Sequence, residues 1–435
     1  MAISGRVPLL LLVGVVPAIL WPAPLVVVAW VVLVAALSAL DLGLAVAPHR
    51  LVLTRALPSS VRLTEPAESR LTIANPEHRT ARLRVRDAWP PSAGADANRP
   101  RLVLPAGESL RQVCRLEPQR RGDLVPGAVT VRSFGPLGLA ARQRSLAVPG
   151  VLRVLPEFRS RSHLPYRLAR LREMDGQASV HVRGQGTEFD SLREYAIGDD
   201  VRSVDWRASA RAQKTMVRTW RPERDRHILV VLDTSRWAAG RIAGGPAGQT
   251  RLDAGIETCL LMGALGGASG DRMSLLVADR QVQVRLQGGG RSGGTLASFA
   301  DGLSVVEPVL AEADWSLIAG QVDRLCNQRS LVILVTGLDP ALYAEGLGTV
   351  LPVLAHDHQV MIAHVTDPAE AATRREPSGL TAVYDAAAAG RLALSTRALA
   401  DRVRRLGVEI VHADPDHLAP AVCDAYLALK AAGRL

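Results

Sequence analysis

The sequence predicts an α/β fold class: a doubly wound sheet in the C-terminal half, preceded by a transmembrane helical hairpin and a small β-sandwich-like domain. Three patterns lead there. Continuous apolar runs alternate with helical spacings after His227, apolar residues alternate with arginines between Arg70 and Arg132, and no charge interrupts Val7 to Leu40. These patterns divide the chain into 1–45 (anchor), 46–155 (β domain), 156–226 (connector) and 227–435 (α/β domain).

The C-terminal reading rests on six strand signals: His227 to Leu232, Met273 to Ala278, Val282 to Leu286, Leu331 to Val335, Val360 to Val365 and Val408 to Val411. Helical spacing fills Arg251 to Ala268 and Trp315 to Leu325. Strands that are apolar throughout, set between helices, indicate a mostly parallel sheet covered on both faces.

The uncharged N-terminal run breaks at Trp21-Pro22-Ala23-Pro24 into two apolar stretches of about 15 residues, each short of the roughly 20 that span a bilayer. Arg6 precedes the run; His49, Arg50 and Arg55 follow it. Positive charge on both flanks and none at the turn predicts a hairpin in the cell membrane with the bulk of the chain in the cytoplasm. A single tilted span and a signal peptide are the rival readings.

In the next segment, Ala81-Arg82-Leu83-Arg84-Val85-Arg86, Arg70 to Ile73 and Ala128 to Arg132 have the period of strands with one wet face. Asn75-Pro76, Pro90-Pro91, Pro105-Ala106-Gly107 and Gly135-Pro136 punctuate them, as in a small antiparallel sandwich. The connector differs. It is dense in charge yet carries Phe158, Tyr166, Phe189, Tyr195, Trp206 and Trp220, which a disordered linker would lack. Asp199 or Asp200 is placed to cap a short helix, Gly198 suits a turn, and Asp205 and Arg202 are spaced to pair.

A net charge of +10 is spread along the chain without a basic block. That pattern does not read as a nucleic-acid binder and suits a membrane surface. The four cysteines form no CxxC pair and read as reduced core thiols. Gly184-Gln185-Gly186 lacks a third glycine, and Gly288 to Gly294 lacks a Gly-Lys-Ser/Thr ending, so neither reads as a phosphate cradle. His356 and His358 read as solvated. No nucleophile elbow, HExxH or Cys/His cluster marks an active site.

The run from Gly186 to Arg211, continuing through Glu223-Arg224 into Val230 to Ser235, resembles the signature of the family catalogued as domain of unknown function 58. Arg120-Arg121-Gly122 and Gly135-Pro136-Leu137-Gly138-Leu139 resemble its β region. The resemblance implies a von Willebrand factor A-like (Rossmann-like) C-terminal domain and association with AAA+ ATPases of MoxR type. It implies no enzymatic activity. The expected role is a membrane-anchored adaptor that binds such a partner in envelope protein assembly or maturation. A metal-dependent hydrolase and a passive envelope-organising protein are the alternatives.

The resemblance also implies where to look for contacts. A von Willebrand-type metal site takes Asp-x-Ser-x-Ser from the first loop, a Thr from the second and an Asp from the third. Asp233 and Ser235 match the first two positions for Mg²⁺ or Mn²⁺, which need only two or three protein oxygens. Trp237 stands where the second Ser belongs, Asp314 and Ser316 replace the Thr, and Asp339 lies two residues beyond the usual carboxylate. The second candidate is the signature itself: Glu188, Phe189, Arg193, Tyr195, Gly198, Asp199, Asp200, Arg202, Asp205, Trp206 and Arg211 form either a partner surface or an internal brace. A brace would bury Arg193, Asp205 and Trp206.

Overall fold

Pro24, with its φ fixed and no N–H to lose, starts a helix that continues to Leu44. At about 1.5 Å per residue its 21 residues reach roughly 32 Å, a bilayer's hydrocarbon thickness. The computed structural model describes residues 2–96, 99–181, 188–196, 199–221, 226–243, 249–288, 294–373 and 380–435. Gly198, the Gly184-Gln185-Gly186 run, Thr187, Glu223-Arg224 and most of the 288–294 glycine run lie outside them. Two compact units divide the chain, Met1–Glu157 and Phe158–Leu435.

In the first unit, helices Arg6–Val13 and Val15–Leu20 precede the long helix, and the chain turns at Trp21. Trp30 Nε1 donates to the Leu10 carbonyl at 2.9 Å, with its ring against Gly14. Among the described residues, only the long helix is long and apolar enough to cross a membrane; Leu25, Val28 and Val32 are among its exposed side chains.

The same unit builds a five-stranded and two three-stranded sheets. Strand Ala81–Arg86 buries its apolar residues and exposes or half-exposes its arginines, as the period-two pattern predicts. Ile73, Leu83, Val85, Val129 and Val131 share one core between strands of two sheets.

A buried carboxylate helps join helix to sheet. The Asp41 carboxylate, fully buried, accepts the backbone N–H groups of Leu137 (2.7 Å), Leu139 (2.7 Å) and Ala140 (3.0 Å). Arg6 Nη1 donates to the Leu137 carbonyl at 2.9 Å, and Ala2–Ile3 pairs with Ala140–Ala141. Both ends of the helical pair thus hold the Gly135–Ala140 loop. Gly135 is required there, because a Cβ would lie 2.1 Å from Asp41 Oδ1.

The second unit centres on six strands: β1 (His227–Asp233), β2 (Arg272–Ala278), β3 (Val282–Gln287), β4 (Leu331–Val335), β5 (Gln359–Val365) and β6 (Glu409–Ala413). Their order is β3-β2-β1-β4-β5-β6, parallel except for the β3 edge. Leu229, Val231, Leu334 and Ile362 pack on Trp315, Ile318 and Val322 of one helix and on Leu351 and Leu354 of another. On the opposite face, helix α1 (Arg251–Ser269) approaches Leu232 through Gly255 and packs on helix α2 (Pro415–Ala431), with Met262 against Cys423. A Thr250/Asp253 capping box starts α1 and Asp414 caps α2. All four cysteines are buried free thiols.

The connector is tied to this unit. Glu257 on α1 accepts from the Arg159 and Ser160 backbone and from Ser160 Oγ, while Arg167 pairs with Asp424 of α2. Strands Glu188–Glu194 and Met216–Arg221 form an antiparallel pair, with Glu188 opposite Arg221 and Phe189 opposite Trp220.

Candidate functional site

In an open sheet of this order, the crevice lies at the carboxyl ends of the strands where the winding reverses, here between β1 and β4. Asp233 ends β1 there and is 1 % exposed. Its Oδ1 accepts the Ser235 backbone N–H at 2.8 Å, and its Oδ2 accepts Thr336 Oγ1, from the loop after β4, at 2.6 Å. Burial raises the Asp233 pKa above its ordinary 3.8; the two neighbours oppose this, and the Asp279 charge adds to it. Ser235 Oγ lies close enough to steady the carboxylate but makes no well-formed hydrogen bond.

A second network lies beside it. Asp279, after β2, accepts from Thr234 Oγ1 (2.9 Å), Gln283 Nε2 (2.5 Å) and the Gln281 backbone (3.0 Å). The loops are laced through the backbone as well: Val309 N–H donates to the Thr234 carbonyl and Arg236 N–H to that of Ala311. Thr336, Asp279 and Gln283 were not singled out from sequence. The place of Asp279 at the end of a buried apolar run is the only signal that marks it.

The remaining metal candidates are engaged elsewhere. Asp314 caps the Trp315 helix, accepting from Leu317 N–H at 2.9 Å, and Asp339 caps Pro340–Leu342, accepting from Ala341 and Leu342 N–H at 2.9 Å. Ser316 is exposed on that first helix. Trp237 is buried, with its indole on Gly337, where a Cβ would meet Nε1 at 2.4 Å. Gly337 is the position two residues before Asp339, where the third-loop carboxylate is expected. The ring thus fills the space that this side chain would need. Arg251 lies 5.4 Å from the Trp237 ring and His364 5.9 Å, the latter accepting Leu338 N–H at Nδ1. Burial, with Arg251 nearby, lowers the His364 pKa to about 4 and keeps its ring neutral.

Among the described residues, no group of three His, Cys, Asp or Glu is gathered to hold an ion. Ser235 Oγ alone of the candidate oxygens is buried without a partner. Among the described residues, these oxygens are not gathered into a divalent-cation shell. Asp233 acts as a hydrogen-bond acceptor that joins two loops. Asp233→Ala strands a buried N–H and a hydroxyl and is expected to cost about 2–5 kcal/mol. Asp233→Asn keeps one oxygen and a donor for the Thr336 hydroxyl, and is expected to stay within about 1 kcal/mol. Because the folded pKa is raised, wild-type stability falls as pH rises from 3.8 through the folded value. Denaturant melts across pH should show that slope vanish in the Asn variant.

The signature residues form a braced module. Arg193 pairs with Asp199, which also accepts the Ala196 N–H. Asp200 caps the turn Val201–Ser203, and Asp205 caps helix Trp206–Ala212 while pairing with Arg218 at 2.8 Å rather than with Arg202. These bonds hold both Asp pKa values, of Asp199 and Asp205, below the usual range. These pairs tie the module together, but the burial expected of a brace is not met: the Arg193 side chain is 39 % exposed, that of Asp205 16 %, and Trp206 is 69 % exposed; Tyr195 is also exposed.

Uncharacterized proteins of Mycobacterium bovis and Mycobacterium tuberculosis are 24 % identical over 196 residues, 43 % of this chain and 57 % of theirs. The chain thus spans just over half the length of the curated relatives it matches. A FixG-related protein from Vibrio parahaemolyticus (7 % identity, 24 % of this chain and 96 % of that one, TM-score 0.18) is similar in structure. So is the CARDB domain of a Pyrococcus furiosus protein (14 %, 25 % and 94 %, 0.19). Likenesses this slight carry no argument. The family model described as "Protein of unknown function DUF58" matches residues 191–412, from the braced module through the last strand but for its final residue, and the chain belongs to that family.

Proposed function

We propose that this chain is a membrane-anchored, non-enzymatic adaptor. Its α/β unit, von Willebrand factor A-like, binds a protein partner, an AAA+ ATPase of MoxR type, in envelope protein assembly or maturation. The ATPase supplies the energy, and this chain supplies location. One observation carries the reading. At the strand-end crevice, the buried carboxylates Asp233 and Asp279 are spent on backbone amides of their own loops and hydroxyls of neighbouring ones. That arrangement suits a stiff docking face better than a reactive one, since catalysis needs groups free to meet a substrate.

The exposed apolar helix Pro24–Leu44, with the shorter helix beside it, supports a hairpin in the cell membrane. Arg6 on one flank and Arg50 on the other favour a cytoplasmic bulk. Buried free thiols accord with a reducing compartment.

The test is affinity purification of the full-length protein from its own membranes after mild solubilisation. The adaptor reading expects the MoxR-type ATPase among the co-purifying proteins. Its absence from the eluate, while it is present in the same membranes, counts against the reading.

A further inference from the structure

In the braced module, every acid whose side chain is described is already used. Glu194 pairs with Lys214 at 3.0 Å, Asp199 with Arg193, Asp205 with Arg218, and Asp200 accepts the Arg202 backbone N–H. Arg202, Arg207 and Arg211 remain exposed, with no ion pair among the described residues. Between them stand Trp206, 69 % exposed, and Val201, 62 % exposed.

The platform beneath is fixed. Asp205 N–H donates to the Met216 carbonyl, Met216 N–H donates to Ser209 Oγ, and Val204 bridges Val217. An exposed tryptophan costs solvation free energy unless something covers it. Trp and Arg are also the residues that carry most binding energy at protein interfaces. Three guanidiniums without ion pairs among the described residues, on the turn and helix that also carry an exposed indole, call for carboxylates beside apolar side chains. The helix, seven residues and about 10 Å long, carries Trp206, Arg207 and Arg211, and the turn just before it carries Val201 and Arg202, so the set is small. That size fits a peptide segment better than a lipid surface.

We propose that the ridge Val201, Arg202, Trp206, Arg207 and Arg211 docks an acidic, leucine-bearing segment of a protein partner. The proposal rests on the adaptor reading only for the partner's identity.

Full-length protein in phosphatidylcholine nanodiscs is titrated with two probes, the purified MoxR-type ATPase and a labelled 12-residue Glu/Leu peptide. The variants are Trp206→Ala and the double change Arg207→Glu with Arg211→Glu. Binding of either probe is expected to weaken about tenfold or more in both variants, with melting temperatures unchanged. If only the peptide binds and the variants weaken it, the ridge stands and the ATPase reading fails. If a probe binds wild type and variants alike, or neither probe binds wild type, the ridge proposal is overturned. It is also overturned if the variants lose affinity for phosphatidylglycerol vesicles while keeping the peptide, because the occupant is then a membrane.

Discussion

Replacing Asp271 with alanine is expected to destabilise the α/β unit by about 3–5 kcal/mol, the usual effect of leaving a buried charge without its partner. Asp271 follows α1 and is 4 % exposed; it accepts Lys430 Nζ at 3.0 Å, Ser269 Oγ at 2.7 Å and the Tyr426 hydroxyl. Burial, then the Asp271 charge, drives the Tyr426 pKa upward and keeps its proton in place as a donor. Three groups from two helix ends thus converge on one carboxylate, and the alanine variant strands an ammonium inside the protein.

In a unit of this size, the loss corresponds to a fall on the order of 10 °C in melting temperature. Scanning calorimetry of the full-length protein should show it in one transition. Replacing both partners, Asp271→Asn with Lys430→Met, should restore much of the loss, because the uncompensated charge is gone. An Asp271→Ala melt within about 2 °C of wild type, a loss of roughly 1 kcal/mol or less, would contradict this account of the cluster.

Loss of the Asp41 carboxylate is the second large effect. Asp41→Ala leaves the N–H groups of Leu139 and Ala140 buried without their acceptor, at about 1–3 kcal/mol each, and frees the half-buried N–H of Leu137. Asparagine repairs little, since its one oxygen cannot serve three donors and its amide faces N–H groups. Gly135→Ala should act through the same contact by pushing a methyl into the carboxylate. Amide hydrogen exchange reads the effect locally: residues 137, 139 and 140 should exchange faster in each variant. Slow exchange retained at all three positions in Asp41→Ala would show that the loop is held by other contacts.

Much of this architecture is legible in the sequence, because burial leaves a period. The arginine–apolar alternation of Ala81–Arg86 and the unbroken apolar runs of β1 and β4 each admit one reading. The cap of the Val201–Ser203 turn was legible too, since a carboxylate just before a helix has a local task; that of the Trp206 helix was not, because Asp205 reads as an ion-pair partner of Arg202. What sequence does not carry is contact between distant segments. Asp233 and Thr336 are 103 residues apart, and Asp41 and Leu137 are 96 apart. Nor does spacing say which way a ring points. Trp206 and Trp237 look alike as single aromatics in polar segments, yet one stands in solvent and the other seals Gly337. The Asp314 and Asp339 carboxylates read as possible metal ligands because capping and ligation draw on the same residue type at the same kind of turn.

The central claim, a docking face that works without chemistry or metal, is tested most directly by comparing wild type with Asp233→Asn. Full-length protein in nanodiscs is titrated with the purified MoxR-type ATPase, and the dissociation constants are measured side by side. The account predicts binding by both proteins with constants equal within about twofold, since Asn keeps the loop contact and removes only the charge. No binding by folded wild type would contradict the adaptor, and selective loss of binding in a folded Asp233→Asn would contradict a metal-independent face.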